Sequence, residues 1–385
     1  MKELEIPEGW KKIKLKEVLK EVSERNKGQK VKRVLSITNS QGFVNQEEYF
    51  EGTVHSADIS QYKIVRKNQF AYNPSRVNVG SIDILKDYDE GALSPMYVIF
   101  EVDTEKLLPE YFKYYFETHR FYENVKNNTQ GSVRYSLSFK ALVDFEYFLP
   151  PIEEQEKIVR ILMNIDEVLR NYEKNNNEQI NYMNYIMKKT LDKKGDMIKL
   201  REIGEIITGN TPKTTEKDNY GEEYNWVTPG DMGISKYITN TEKKLSLKGF
   251  EKSRKVNKGS ILVTCIGSTI GKIGIAGKEC STNQQINSIN LFNNINNEYV
   301  YYAIKYNFKY FTDYISNQAV PIINKTVFGN LQIPNISLSR QKKIAITLKI
   351  LDKKIECNKK IIDEYKKLKK ALMQKLLTGK VRVKI

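Results

Sequence analysis

The chain has 385 residues, 40% of them apolar and 29% charged, and a formal charge of +16. That length asks for two or more cores, that apolar content excludes wholesale disorder, and the basic excess favours a polyanionic partner such as nucleic acid. Three scattered cysteines, two isolated histidines (His55 and His119), no apolar run of ~18 residues and no signal-peptide core exclude a disulfide framework, a clustered zinc site and a membrane span, so a cytoplasmic protein is expected.

Residues 10–22 predict a short strand and then a helix. Residues 33–109 read as strands and turns, with β-rich runs at Phe43–Phe50 and Met96–Val102 separated by Gly, Asn, Asp and Pro. An aromatic amphipathic helix is expected over Glu110–Val125, where Tyr111, Tyr114 and Tyr115 recur at helical spacing; such a stripe serves burial against a sheet better than base stacking. A polar loop, Asn127–Ser138, and a strand, Phe145–Leu149, close this half. Pro151–Leu191 then predicts one long helix. Its Ile158, Leu162, Ile165, Leu169, Tyr172, Gln179, Met183 and Ile186 follow the alternating 4,3 spacing of a coiled-coil seam. About 37 residues at a rise of 1.5 Å give ~55 Å.

The grammar then repeats. Residues 197–208 restate the lead-in, with Ile198-Lys199-Leu200 matching Ile13-Lys14-Leu15, and 224–292 restate the strands and turns. Phe70–Ile82 lies over Ile261–Ile273, each a hydrophobic strand, a polar loop, then Gly and Ile two residues apart. Glu298–Ile315 is the second aromatic helix, and Ser316–Thr326 and Leu331–Ile333 are its closing loop and strand. A second long helix spans Leu338–Leu377, with a seam of Ile344, Leu348, Leu351, Ile355, Asn358, Ile362, Tyr365, Leu372 and Leu376. At a constant offset of 186, Gln155 matches Gln341, Leu162 matches Leu348, Asp166 matches Asp352 and Met187 matches Met373. Polar seam positions, Asn176, Asn358 and Lys369, should fix register. Residues 340–385 hold 16 Lys/Arg against 4 Asp/Glu, a net of +12, whereas residues 153–196 hold 8 against 9, a net of −1. The fold class is therefore α+β: two mixed α/β halves at 1–150 and 195–336 in pseudo-two-fold repeat, joined and spaced by long helices at 151–194 and 337–385.

Catalytic motifs fail on inspection. Tyr72-Asn73-Pro74-Ser75 lacks the second proline and the aromatic of an adenine-methyltransferase loop, and Gly267–Ile273 is one residue short of a phosphate loop, with Ile273 where Ser or Thr would reach magnesium. No Ser/His/Asp set, paired-carboxylate cleft or metal cluster can be assembled. What remains are polar loops of residue types that read base edges, Asn or Gln on adenine and Arg or Lys on guanine. In the first half these are Ser40 and Gln41; Asn73, Ser75, Arg76 and Asn78; and Gln130, Ser132, Arg134, Tyr135 and Ser136. In the second they are Thr211, Lys213, Thr214 and Thr215; Ser268, Thr269 and Lys272; Asn283, Gln284 and Gln285; and Asn317, Gln318, Asn324 and Lys325. Any single loop reads equally well as a solvated turn; their matched positions raise the set above its members. Helix pairing and partner contacts are assigned to Gln155, Ile158, Leu162, Ile165 and Leu169, and to Gln341, Ile344, Leu348, Leu351, Ile355 and Ile362.

The chain resembles the specificity subunits of type I restriction–modification enzymes. The carriers are Leu149–Ile158 and Leu338–Ile344 at the helix openings, Trp226–Asp231, Gly259–Ile273 with Asn283-Gln284-Gln285, Phe70–Gly80 with Leu93–Tyr97, and Leu376–Arg382. The resemblance implies two target-recognition domains, each reading half of a bipartite double-stranded DNA sequence. It implies that the two helices pack antiparallel, set the gap between half-sites and dock two methyltransferase subunits, which restriction subunits can join. S-adenosylmethionine then belongs to the methyltransferase subunits, and this chain carries no cofactor and no catalytic site. Ser337–Arg340 departs from the Pro-Ile-Glu-Glu that opens the first helix, which leaves the start of the second less defined. The rival readings are a stand-alone adenine methyltransferase and a coiled-coil assembly protein that does not touch DNA.

Overall fold

A computed structural model describes residues 6–50, 52, 55–129, 136–192, 195–311 and 321–383. The chain forms two compact units. Unit 1 is Met1–Asn171 with Ile362–Ile385, and unit 2 is Tyr172–Ile361. The division cuts across both long helices rather than falling at their ends, so each unit is a globular half together with one segment of each helix.

In unit 1 the lead-in strand Lys11–Lys14 pairs antiparallel with Glu146–Leu149, placing the first and last strands of the half side by side where the long helix begins. The helix expected within residues 10–22 is a single 3-10 turn, Leu15–Glu17, because the Glu17 carboxylate accepts from the Lys14 amide and closes the turn before strand Leu19–Val22. That strand enters a four-stranded antiparallel sheet in the order Leu19–Val22, Val98–Val102, Phe70–Tyr72, Ile82–Ile84. The run Phe43–Phe50 stays extended only to Asn45; the Asn45 side chain accepts from the Glu47 amide and starts the helical turn Gln46–Tyr49. The aromatic helix is two helices, Pro109–Tyr115 and His119–Thr129. Between them the Thr118 hydroxyl donates to the Tyr115 carbonyl and accepts from the Phe121 amide, ending one helix and capping the next. The Tyr111, Tyr114 and Tyr115 rings are buried, and Phe112, Phe116 and Tyr115 join Phe70, Phe100 and Tyr147 in a cluster whose rings stack or meet edge to face between 4.8 and 5.7 Å. The stripe is core and does not present rings to bases.

Unit 2 repeats the plan with a larger sheet. Met197–Lys199 pairs with Gln332–Pro334. A five-stranded sheet runs Gly204–Thr208, Ile286–Leu291, Ile261–Thr264, Ile273–Ala276, Tyr237–Ile238, and a four-stranded sheet is built on Tyr220–Val227 and Cys280–Thr282. The second lead-in again holds only a short helix, Leu200–Ile203. The aromatic helix is Asn297–Phe311, and residues 312–315 of its expected span lie outside the described residues.

The long helices are Ile152–Leu191 and Leu338–Leu376. Pro151 precedes the first, and Glu153 and Glu154 in its first turn suit the positive end of the helix dipole. In unit 1, Ile158 and Leu162 pack in one core with Met373 and Leu376, and the Lys369 ammonium lies 2.8 Å from Asp166. Further along, Glu154 meets Arg382, so these segments run antiparallel. In unit 2, Met183 and Met187 pack with Ile344, Leu348, Leu351 and Ile355, and Asn358 donates to Gln179 at 3.2 Å. Two of the three polar seam positions thus find partners on the facing segment.

Candidate nucleic-acid interface

Each half's central strand runs into a turn of the same design. In unit 1 the strand Phe70–Tyr72 leads to Asn73–Ser81, where the Asn73 amide donates to the Ser81 carbonyl at 3.0 Å. In unit 2 the Thr264 amide donates to the Lys272 carbonyl at 2.9 Å, the same bond displaced by 191 positions. Gly80 (φ +93°) and Gly271 (φ +92°) close the two turns in the left-handed region, which other residues enter at a steric cost. At Gly271 a Cβ would also strike the Phe308 ring at 2.5 Å.

Around the unit 1 turn, three other segments converge. The Ser81 hydroxyl donates to the Ile37 carbonyl at 2.9 Å and the Ile37 amide donates to the Tyr97 hydroxyl at 3.4 Å, which ties the turn to the Leu35–Asn45 hairpin and to Ser94–Tyr97. The Leu137 amide donates to the Pro74 carbonyl at 3.1 Å, which brings Ser136 alongside. Ser40, Gln41, Ser75, Arg76, Asn78 and Ser136 are all exposed. Asn73 is not: its carboxamide oxygen accepts from the Ser75 amide and its nitrogen faces the Met96 sulfur at 3.6 Å, so it builds the turn. Beside the hairpin tip opens a cleft of about 400 Å³ lined by Thr38, Asn39, Ser40, Gln41, Gly80 and Tyr122. Gln130, Ser132, Arg134 and Tyr135 lie outside the described residues.

In unit 2 the Cys265 amide donates to the Gln285 carbonyl and the Ile323 amide to the Cys265 carbonyl, both at 2.8 Å, and the Gly267 amide donates to the Pro321 carbonyl at 3.0 Å. The Thr211 hydroxyl donates to the Gln284 side chain at 2.5 Å. Loops 209–216, 265–272, 283–285 and 321–325 therefore form one surface. Thr211, Lys213, Thr214, Thr215, Ser268, Gln284 and Lys325 are exposed on it, and Thr269 and Gln285 are half-buried. Three candidates are structural: Asn283 is buried and accepts from the Gln285 amide, Asn324 caps the helix Lys325–Asn330, and the Lys272 ammonium donates to the Pro229 carbonyl at 3.2 Å. That last bond gives the glycine-rich turn a packing role. Asn317 and Gln318 lie outside the described residues.

The sequence reading missed Asn39 and Tyr122, which line the unit 1 cleft, and Met96, which stands 61% exposed among polar side chains. Only the strand register singles out Met96.

The helix residues divide by role. Ile158, Leu162, Ile165, Leu169, Ile344, Leu348, Leu351, Ile355 and Ile362 are buried as expected of a seam. Gln155 and Gln341 are not pairing residues. Gln155 accepts from the Leu108 amide and donates to the Lys106 and Pro150 carbonyls, at 2.8, 2.8 and 2.9 Å. Gln341 accepts from the Asn296 amide and donates to the Ile336 carbonyl, both at 2.9 Å. Each staples the start of its long helix to the loop that precedes an aromatic helix, a carboxamide being able to accept and donate at once. About three turns further in, Tyr114 donates to Asp166 at 2.8 Å and Tyr302 donates to Asp352 at 3.1 Å. Burial, and then the carboxylate, push both phenols well up.

The cations beside these pairs differ. Lys369, on the facing helix, meets Asp166 at 2.8 Å and Glu117 at 3.1 Å; burial lowers its pKa, but the two carboxylates outweigh burial and the net shift is upward. In unit 2 the position equivalent to Lys369 is Met183, and the ammonium comes instead from Lys236, which pairs with Glu298. There burial outweighs the carboxylates and the net shift is downward.

Among the described residues no group of three His, Cys, Asp or Glu could hold a metal ion. The scaffold is duplicated, with an exposed polar loop surface on each half. The sequence matches the family described as type I restriction modification DNA specificity domain twice, over residues 7–182 and 193–367. It is 26% identical over 421 aligned positions to a putative type I restriction enzyme MjaX specificity subunit of Methanocaldococcus jannaschii, covering 99% of this chain and 95% of that one. It is 30% identical over 196 positions to the type I restriction enzyme HindI specificity subunit of Haemophilus influenzae, covering 48% of this chain and 41% of that one. The fold is shared with the type I restriction–modification S subunit from M. genitalium, with a TM-score of 0.63, 16% identity and coverage of 98% and 97%. The chain belongs to the type I restriction–modification specificity family; it is a DNA-recognition subunit and not itself catalytic.

Proposed function

We propose that unit 1 reads one half of a bipartite DNA target and unit 2 the other, while the long helices dock two methyltransferase subunits that hold S-adenosylmethionine. The observation that carries this is the matched turn after the central strand of each unit, ringed by loops of different composition. Equivalent scaffolds with unlike loops suit two half-sites of unlike sequence. Half-sites read from one face of a duplex lie about one helical turn apart, ~34 Å. Each long helix, 40 or 39 residues, has the length to set such a separation at a rise of ~1.5 Å per residue. Restriction subunits join the same complex where cleavage accompanies methylation.

Exchange of residues 1–150 for those of a relative tests the assignment. With the methyltransferase subunits present, one half of the methylated sequence is expected to change while the other half and the spacer persist. A change in both halves, or in neither, refutes it. Methyl transfer from labelled S-adenosylmethionine by this chain alone would favour the enzymatic rival instead.

A further inference from the structure

The two units have the same strand register around their reading turns, so positions can be equated across them without recourse to sequence similarity. In unit 1, Phe70 pairs with Phe100 and Tyr72 with Val98. In unit 2, Ile261 pairs with Ile289 and Val263 with Asn287. Two residues before Val98 lies Met96, and two residues before Asn287 lies Gln285. Both occupy the connection that enters the sheet's central pairing, between Glu90–Leu93 and Val98–Val102 in one unit and between Cys280–Thr282 and Ile286–Leu291 in the other.

The side chains at this shared position have opposite chemistry. Gln285 offers a half-buried carboxamide whose oxygen accepts from Asn283 at 3.0 Å. Met96 offers a thioether, 61% exposed, with the Asn73 amide nitrogen 3.6 Å from its sulfur and exposed Ser75 and Arg76 on the adjoining turn. A large apolar side chain held out of the core among polar groups contributes little to folding. It has a use at a base edge, where the thymine 5-methyl is the one apolar group in the major groove. A thioether is unbranched and polarizable, and shapes itself to a methyl group readily.

We infer that Met96 is a specificity-determining residue that recognises a thymine methyl group in the half-site read by unit 1, at the position where unit 2 presents the Gln285 carboxamide. This rests on the assignment of unit 1 to one half-site. The test uses the complex with its methyltransferase subunits and a duplex carrying its mapped target. Each thymine of the unit 1 half-site is replaced in turn by deoxyuridine, which removes only the methyl group. At one position the wild-type complex is expected to lose about fourfold in affinity, the equivalent of one buried methyl group. Met96→Ala should bind the thymine and deoxyuridine duplexes alike, and Met96→Gln should shift the preferred base pair at that position. A half-site without an A·T pair, no position sensitive to deoxyuridine, or sensitivity undiminished in Met96→Ala would each overturn the inference. An unchanged urea midpoint in the Trp10 fluorescence of each variant, read in a Trp226→Phe background, shows that unit 1 folds. If the wild-type complex bound DNA without sequence preference, the half-site assignment itself would fail, a result distinct from any of these.

Discussion

The Tyr114–Asp166 contact should anchor the first globular half to its helix with a measurable coupling energy. Tyr114→Phe removes one hydroxyl, buried and donating at 2.8 Å to a carboxylate that is 31% exposed. Hydrogen bonds to charged groups contribute ~1.5–3 kcal/mol, and partial exposure of the acceptor favours the lower end, ~1.5 kcal/mol. The chain's two tryptophans fall one in each unit, Trp10 in unit 1 and Trp226 in unit 2. In a Trp226→Phe background, urea unfolding followed by Trp10 fluorescence therefore reports on unit 1. With a slope of ~2–3 kcal/mol/M, the midpoint should fall by ~0.5–0.75 M. Asp166→Asn also disturbs Lys369, so the pairwise contribution is isolated by a double-mutant cycle of Tyr114→Phe and Asp166→Asn, with an expected coupling of ~1.5 kcal/mol. Coupling below ~0.3 kcal/mol would refute the anchor.

Gln155→Ala strands two carbonyls and one amide and should cost ~3 kcal/mol in the Trp10 signal; Gln341→Ala strands one of each and should cost ~2 kcal/mol in the Trp226 signal. Losses read by the opposite tryptophan would contradict the stapling role. Arg382→Ala removes a two-point contact, 2.7 and 2.9 Å, from the buried Glu154 carboxylate, leaving it the Trp10 indole at 2.9 Å. A loss of ~2–3 kcal/mol is expected, and Glu154→Gln in the same chain should restore part of it, because the stranded charge is the source of the cost. Lys366 and Lys370 line a unit 1 cleft of about 570 Å³ beside Tyr122. If that face meets phosphates, replacing both by Gln should flatten the dependence of log K on log salt by ~1.8 without changing the methylated sequence; an unchanged slope with loss of assembly would assign them to docking. Burial raises the Glu110 pKa, but its 2.6 Å bond to Lys86, a hydrogen bond from the backbone and the Lys86 charge together outweigh burial, and the net shift is downward. Its stabilisation is then present above the ordinary value of 4.5 and fades as pH falls through the lower folded value. The stability advantage of wild type over Glu110→Gln should therefore shrink as acid is added through that range.

Periodicity and repetition made the two long helices legible: the spans Pro151–Leu191 and Leu338–Leu377 lie within a residue of the observed Ile152–Leu191 and Leu338–Leu376. A 4,3 spacing sustained from Ile158 to Ile186 has no competing structure, and its second copy at a constant offset doubled the signal. The two-half plan was legible for the same reason. Local hydrogen bonds decided what periodicity could not. Glu17 cuts a predicted helix to one turn, Asn45 ends a predicted strand, and Thr118 divides one aromatic helix into two.

The reading loops divide the same way. Composition marked them as polar, but it did not separate Gln284, which is exposed, from Asn283 one residue earlier, which is buried to hold the turn. Nor did it mark Met96, whose place depends on a pairing between strands distant in sequence. Gln155 and Gln341 stood out as repeated residues, yet their partners at Lys106, Leu108 and Asn296 come from segments 45 to 49 residues away. By itself, then, the sequence determined which segments are helical rods and that the halves are copies, because those properties are periodic and local. Only the tertiary structure decided which polar side chains face outward and which are drawn inward to build the turns, because a carboxamide or hydroxyl serves either purpose until its neighbours are in place.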